Sequence, residues 1–179
     1  PGTQEWGALV NHEAMVNACQ IPEGILGKIS TPALVKSVLN YPLYPDMLAY
    51  SSVEKGYLAM SAQFNGIQEL YKRDDSGTML MAKYHNMDPA AFGKDFAPEQ
   101  RGAYVRDFMN IEVLLSQKAI LGKLTEQQRQ ELRKEALAKY AIKKTINSYG
   151  ADSLKITLLL ADASGTQFVS KDYSAYVYT

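Results

Sequence analysis

The stretch STPALVKSVLNYPLYPDMLAY (residues 30–50) carries the signals for one helix, a corner and the start of a second helix. Ser30 or Thr31 is expected to cap the first helix, because a hydroxyl side chain accepts hydrogen bonds from the free amides of the first turn. Pro42 ends that helix, since the residue before a proline avoids helical geometry. Asp46 suits the first turn of the next helix, where its charge complements the helix dipole. The stretch therefore predicts a folding corner that orients two helices.

Helical periodicity continues after this corner. Apolar residues recur at spacings of three and four, which is typical of one buried face of a helix. These residues are Tyr57, Met60, Phe64, Ile67 and Tyr71. Gly56 and Gly66 interrupt the pattern, and a glycine in a helix interior lowers stability by about 1 kcal/mol relative to alanine. We therefore expect either a close helix approach at these glycines or a kink near Gly66.

Two further helices are predicted, one apolar and one polar. Residues 99–121 carry apolar side chains around most of the helix axis, so this helix is expected to be central and to end at Gly122. Thr125 and Gln128 have the spacing of a capping box and open a polar helix over residues 126–149. The cations of this helix alternate with glutamates, which indicates a solvated face rather than a phosphate-binding stripe. These cations are Arg129, Arg133, Lys134, Lys139, Lys143 and Lys144.

The composition changes after residue 150. SLKITLLLAD (residues 153–162) is rich in strand-forming residues, AlaSerGly predicts a turn, and the sequence after it alternates between apolar and polar side chains. The predicted fold is therefore mainly α, a multi-helix orthogonal bundle over residues 1–150 with a short C-terminal β-hairpin or strand pair in residues 151–179. We expect this β-rich tail to be the start of a further region.

Charge and composition narrow the possible partners. The 19 Lys and Arg residues balance the 19 Asp and Glu residues, so no long-range attraction to nucleic acid is expected. The longest apolar run begins at Ile156 and is too short to span a membrane, so no transmembrane segment is predicted. The single cysteine excludes an intramolecular disulfide. Because the chain begins with Pro1, we expect a processed product whose signal segment has been removed.

The histidines and the cysteine form no recognisable catalytic or zinc-binding motif. His12 has no second histidine in helical register, and nothing in the spacing of Cys19 and His12 indicates the side-chain contact that a thiol nucleophile needs. We therefore predict a surface or partly buried His12 and a buried, inert Cys19. No catalytic residue and no cofactor are predicted.

The most chemically suggestive cluster comprises Met79, Met81, His85 and Met87, because thioether and imidazole groups suit copper(I). On a helix, however, Met79 and Met81 point about 200° apart, so they cannot bind one ion without unwinding. The alternative, which this geometry favours, is that these methionines fill gaps in the core, so no metal site is predicted.

Tyrosine is abundant, with 12 residues against one tryptophan. Most tyrosines share helical stripes with other apolar residues and are predicted to be core. The three in the tail, Tyr173, Tyr176 and Tyr178, are candidates for a partner surface, since tyrosine combines apolar area with a hydrogen-bonding hydroxyl.

Residues 19–84 resemble a helical region of uncharacterised secreted or envelope-attached bacterial proteins. The resemblance depends on IP at 21–22, the cap at 30–31, LNYP at 39–42, DMLAY at 46–50, Gly56, FNG at 64–66 and EL at 69–70. It implies an extracytoplasmic helical module of unknown activity. Longer members of that group continue into a β-rich segment and a region with a Cys-His-Ser-Tyr stretch, which is absent from this chain.

Three functions are therefore expected as alternatives, of which the third is small-ligand or metal binding within the helical bundle, through the region from Met79 to Met87. The first is a non-catalytic helical interaction module that binds an unknown protein or cell-surface partner. The second is an accessory domain of an envelope hydrolase or peptidase-like enzyme whose catalytic region lies outside this chain.

Overall fold

A computed structural model describes residues 2–91 and 96–165, and 70% of these residues lie in twelve helices, with no strand among them. The prediction of a mainly helical bundle is confirmed. The chain divides into two compact units, Pro1–Arg73 and Asp74–Thr179. The predicted division of the chain at residue 150 stays a prediction.

The first unit contains six α-helices and one 3-10 helix among its described residues. They are α1 (Gln4–Gly7), α2 (His12–Ala18), α3 (Glu23–Leu26), α4 (Thr31–Leu39), the 3-10 helix (Tyr44–Ala49), α5 (Val53–Gln63) and α6 (Asn65–Lys72). Helix α4 packs against α6, and the 3-10 helix packs against α5. The corner predicted from residues 30–50 is therefore the link between these two helix pairs.

The corner is fixed by apolar packing on both of its sides. Leu34 and Val38 of α4 are fully buried. After α4, the ring of Tyr41 stacks on the ring of Phe64, with centroids 4.3 Å apart and planes 10° apart. Gly56 lets α5 approach the 3-10 helix closely, because a Cβ there would lie 2.6 Å from the carbonyl carbon of Met47. The expected close approach at this glycine is confirmed.

The apolar stripe after the corner belongs to two helices instead of one. Phe64 adopts an extended conformation (φ −113°, ψ 113°) between α5 and α6. Asn65 stabilises this break through two hydrogen bonds with the backbone of Ile21, receiving one from its amide at 3.0 Å and donating one to its carbonyl at 2.8 Å. The kink expected near Gly66 is therefore confirmed.

The second unit contains five described helices. They are α7 (Ser76–His85), α8 (Pro98–Leu115), α9 (Lys118–Leu121), α10 (Glu126–Lys143) and α11 (Ala151–Ala163). Helix α8 is central, as predicted, since it packs against α7, α9 and α11 and its residues Phe108–Leu115 are all buried. It ends earlier than predicted, because the side chains of Ser116 and Gln117 both donate to the carbonyl of Val113. The short α9 then runs to its C-cap, Gly122.

The predicted first strand of the C-terminal hairpin is wrong, because residues 151–163 form helix α11. The buried side chains of α11 follow helical spacing, with Ser153, Ile156, Thr157 and Leu160 among them, and α11 packs against α8 and α10. A short run that is apolar on most sides looks alike in a buried strand and a buried helix. Here burial between two helices outweighs the strand preference of Ile156 and Thr157. Residues 166–179 lie outside the described residues.

No helix within residues 2–91 and 96–165 combines the length and the apolar character that crossing a membrane requires.

The capping box at the start of α10 is confirmed. The Thr125 hydroxyl accepts from the Gln128 amide at 3.2 Å, and the Gln128 side chain accepts from the Thr125 amide at 2.9 Å. Thr125→Ala is expected to lower the free energy of unfolding by about 1 kcal/mol, because the Gln128 amide in the first turn loses the hydroxyl that accepts from it. Urea denaturation measures this change, with Thr125→Ser as the control that keeps the hydroxyl. Equal losses in both variants would contradict the capping role.

Candidate functional site

The first unit carries a surface pocket of about 250 Å³ between α2, the 3-10 helix and α5. Its lining residues are His12, Asp46, Ala49, Tyr50, Met60 and Gln63. Hydrogen bonds position two of the elements that line the pocket. Asn11 caps α2 by accepting from the Ala14 amide at 2.8 Å, which places His12 at the first helical position. The Gln20 side chain donates to the carbonyl of Gln63 at 2.9 Å and so holds the segment after α2 against the end of α5.

The polar part of the pocket is a pair formed by His12 and Asp46. The imidazole Nε2 lies 2.7 Å from the carboxylate Oδ2, and the two side chains are 56% and 37% exposed. A carboxylate partner fixes the orientation of an imidazole ring. The prediction of a surface or partly buried His12 is confirmed, but its partner is 34 residues away and no spacing rule could have identified it.

Cys19 is partly buried rather than fully buried. Burial raises the pKa of its thiol, which opposes formation of the thiolate that a nucleophile or metal ligand requires. The expectation of an inert thiol agrees with this environment.

Exposed apolar residues lie close in the chain to the residues that line the pocket. Leu48 and Tyr50 flank the lining residue Ala49 and are 48% and 49% exposed, and Val10, two residues before His12, is 89% exposed. We call the six lining residues together with Val10 and Leu48 the pocket surface. A single exposed apolar residue is unremarkable, but several around one concave site are typical of a binding surface.

The second unit contains a buried polar cluster of four side chains from four helices. Its centre is Glu112 of α8, which is fully buried and lies 2.7 Å from Nζ of the equally buried Lys143 of α10. The hydroxyl of Tyr84 of α7 donates to the same carboxylate at 2.8 Å. Thr157 of α11 lies between the charges: its hydroxyl accepts from Lys143 at 3.0 Å and donates to Glu112 at 2.9 Å.

Burial of this cluster favours the neutral forms of Glu112 and Lys143, whereas the ion pair between them favours the charged forms. Burial raises the pKa of the Glu112 carboxyl and lowers the pKa of the Lys143 ammonium, while each charge favours the ionised form of the other. Burial also raises the pKa of Tyr84, so its hydroxyl stays a donor. The Lys143 ammonium lies 4.1 Å from the centroid of the Phe108 ring, an additional attraction for the cation. The three donors around this carboxylate favour its ionised form and so oppose the effect of burial.

The prediction that the cations of α10 form a solvated face is wrong for two of them. Lys139 and Lys143 are 7% and 0% exposed. Lys139 donates to the carbonyl of Met87, lies 3.3 Å from Glu135 and sits 4.8 Å from the centroid of the Tyr84 ring. The helical spacing of the two lysines indicates their burial, because they continue the buried stripe of α10. This stripe is Leu132, Ala136, Lys139 and Lys143.

The copper candidates lie along α7 and just after it. Met79 is 38% exposed, so the alternative of a core-filling side chain is wrong for this residue, while Met81 and Met87 are partly buried. The exposed His85 has its Nδ1 atom 3.5 Å from a carboxylate oxygen of Glu135. The copper-binding alternative for these four residues stays open.

The remaining predictions from the sequence concern a metal site and the tyrosines of the tail. In the part of the chain that the structure describes, no three His, Cys, Asp or Glu side chains are grouped as a metal site would require. Tyr173, Tyr176 and Tyr178 lie outside the described residues, so their proposed role stays a prediction.

Comparison with protein-family models, with curated proteins and with solved structures found no match to this chain.

Proposed function

We propose that the chain is a non-catalytic helical interaction module of an extracytoplasmic bacterial protein, and that the pocket surface binds a segment of a partner protein. The observation that carries the proposal is the exposure of Leu48 and Tyr50 beside a pocket with one polar pair. The extracytoplasmic part rests on the resemblance of residues 19–84 to secreted and envelope-attached proteins.

The chemistry of the pocket surface suits recognition of a peptide segment. Tyrosine supplies a large contact area with few rotatable bonds, and it is enriched among the residues that dominate binding energies. Leu48 adds apolar area next to it, while His12 and Asp46 supply hydrogen-bonding groups that impose specificity. The pocket volume of about 250 Å³ lies below the range of about 300–1,000 Å³ that is usual for drug-sized ligands. This size favours a single side chain of a partner over a whole cofactor.

Selection from a displayed peptide library tests this proposal. Peptides selected on the purified chain are expected to bind Tyr50→Ala and Leu48→Ala at least about tenfold more weakly than the unsubstituted chain, as truncation of a central anchor does. Fluorescence polarisation with labelled peptides measures the dissociation constants, and circular dichroism verifies that each variant is folded.

Leu58→Ala is the matched control. Leu58 is 70% exposed and also lies in the first unit, but it points about 200° away from Gly56, which faces the 3-10 helix. Binding to this variant should be unchanged. The proposal would be refuted by peptides that lose as much affinity for Leu58→Ala as for Tyr50→Ala, or by a selection that enriches no peptide.

A further inference from the structure

We infer that the pocket of the first unit receives a cationic side chain, Lys or Arg, of the bound segment. This inference rests on the proposed function and names the chemistry that the same site recognises. It follows from three properties of the pocket: its charge, its apolar walls and its polar pair.

The charge of the lining favours a cation. Asp46 is the one carboxylate among the six lining residues within the described part of the chain, and none of these six is Lys or Arg. The contact with Nε2 of His12 occupies only one oxygen of this carboxylate, Oδ2, at 2.7 Å. A carboxylate can accept further hydrogen bonds at its second oxygen. An anionic side chain would instead meet Asp46 without a compensating cation in the lining.

The walls suit the stem and the head of a long basic side chain. Ala49 and Met60 provide apolar surface for the methylene groups, which basic side chains commonly bury while their charge stays hydrated. The half-exposed ring of Tyr50 stands at the same pocket and can attract the cation through its face. Gln63 also lines the pocket, and a glutamine amide oxygen is able to accept a hydrogen bond from an ammonium or guanidinium group.

Other occupants fit the same lining less well. A purely apolar side chain would cover the carboxylate and the imidazole without offering them hydrogen bonds, which is unfavourable for polar groups. A zinc ion is held by three or four protein ligands, whereas His12 and Asp46 are the only lining residues of a type that zinc prefers. Compared with an anion, a purely apolar side chain and zinc, an organic cation is the occupant that suits the charge, the walls and the polar groups together.

A double-mutant cycle tests this inference. It combines Asp46→Asn in the protein with replacement of the basic residue of a selected peptide by norleucine, which keeps the stem and removes the charge. In the unsubstituted protein, the norleucine peptide is expected to bind about tenfold more weakly. In Asp46→Asn, the two peptides should bind nearly equally, because the carboxylate that distinguishes them is gone. Glu54→Gln, an exposed acid of the same unit, should preserve the full difference.

A single amino-acid probe tests the pocket independently of any peptide. Nα-acetyl-lysine amide is expected to shift the NMR signals of Asp46 and Tyr50 in a saturable way, and Nα-acetyl-norleucine amide should not. The inference would be overturned if both probes gave equal shifts, or if the norleucine peptide lost the same affinity for Asp46→Asn as for the unsubstituted protein.

The outcomes also separate this inference from the proposed function. Selected peptides that need Tyr50 but contain no basic residue would support the proposed interaction module and overturn the inference that the pocket receives a cation. Saturable binding of the lysine probe, together with a selection that enriches no peptide, would support a cation-binding pocket and overturn the proposed interaction module.

Discussion

Lys143→Met is expected to lower the free energy of unfolding of the second unit by about 3–5 kcal/mol, the range observed when one partner of a buried ion pair is removed. The side chains of Lys143 and Glu112 are both fully buried. The methionine fills a similar volume, so the loss is mainly electrostatic. Glu112 then keeps the hydrogen bonds from Tyr84 and Thr157 but has no counter-charge, and a buried carboxylate without one is unfavourable.

The loss in Lys143→Met is expected to depend on pH with a definite sign. Burial raises the pKa of Glu112 in the folded state, and removal of Lys143 removes the main opposing influence. An acid whose folded pKa is raised contributes stability that is fully present below its ordinary pKa and is lost as the pH rises through the folded value. Urea denaturation should therefore show a smaller deficit at about pH 4 than at about pH 7.

The double variant Glu112→Gln/Lys143→Met is the control for this prediction. Its amide oxygen can still accept from Tyr84, and neither buried charge remains, so most of the stability should return, as in other replacements of buried ion pairs by neutral groups. The additional pH dependence should disappear with the carboxyl. A double variant as unstable as Lys143→Met at both pH values would show that packing, rather than charge, dominates this site.

Gly56→Ala is expected to lower the free energy of unfolding of the first unit by about 3 kcal/mol, the upper part of the usual range for overpacking. The new Cβ would lie 2.6 Å from the carbonyl carbon and 2.7 Å from the Cα of Met47. These are backbone atoms of the 3-10 helix, so no side-chain rotation relieves the clash. The gain of about 1 kcal/mol in helix propensity is therefore outweighed.

Thermal or urea unfolding of the two glycine variants distinguishes the clash from propensity. At Gly24, in α3 of the same unit, nothing lies within 4 Å of an added Cβ, so Gly24→Ala should leave stability unchanged or raise it slightly. Gly56→Ala should also weaken peptide binding, since Met47 follows Asp46 directly and the clash displaces this wall of the pocket. A Gly56→Ala variant as stable as Gly24→Ala would contradict the close approach.

Local signals in the sequence predicted much of the first unit. The corner after α4, the glycine contact at Gly56 and the kink near Gly66 all follow from residues adjacent in the chain. The capping box at Thr125 was predicted in the same way. The sequence signals for these features lie within a few residues, which spacing rules describe, although contacts with distant residues such as Ile21 stabilise the kink.

The features that were missed depend on contacts between distant residues. Helix α11 was predicted as a strand because the sequence of its apolar run does not reveal that α8 and α10 enclose it. Lys143 was predicted to be solvated because the glutamate that pairs with it is 31 residues away. The same holds for His12 and Asp46, which are 34 residues apart, so the candidate site was not predictable from the sequence.

The cluster around Glu112 also has a consequence for how the helices of the second unit align along their axes. Apolar stripes tolerate sliding, since a shift of one turn, about 5.4 Å, can place another apolar residue in contact. Hydrogen bonds to a single carboxylate do not tolerate such a shift, because they are lost within a fraction of about 5.4 Å. Donors from α7, α10 and α11 all meet on α8 at this point. We therefore expect the carboxylate to select one axial register among several that hydrophobic packing alone would accept.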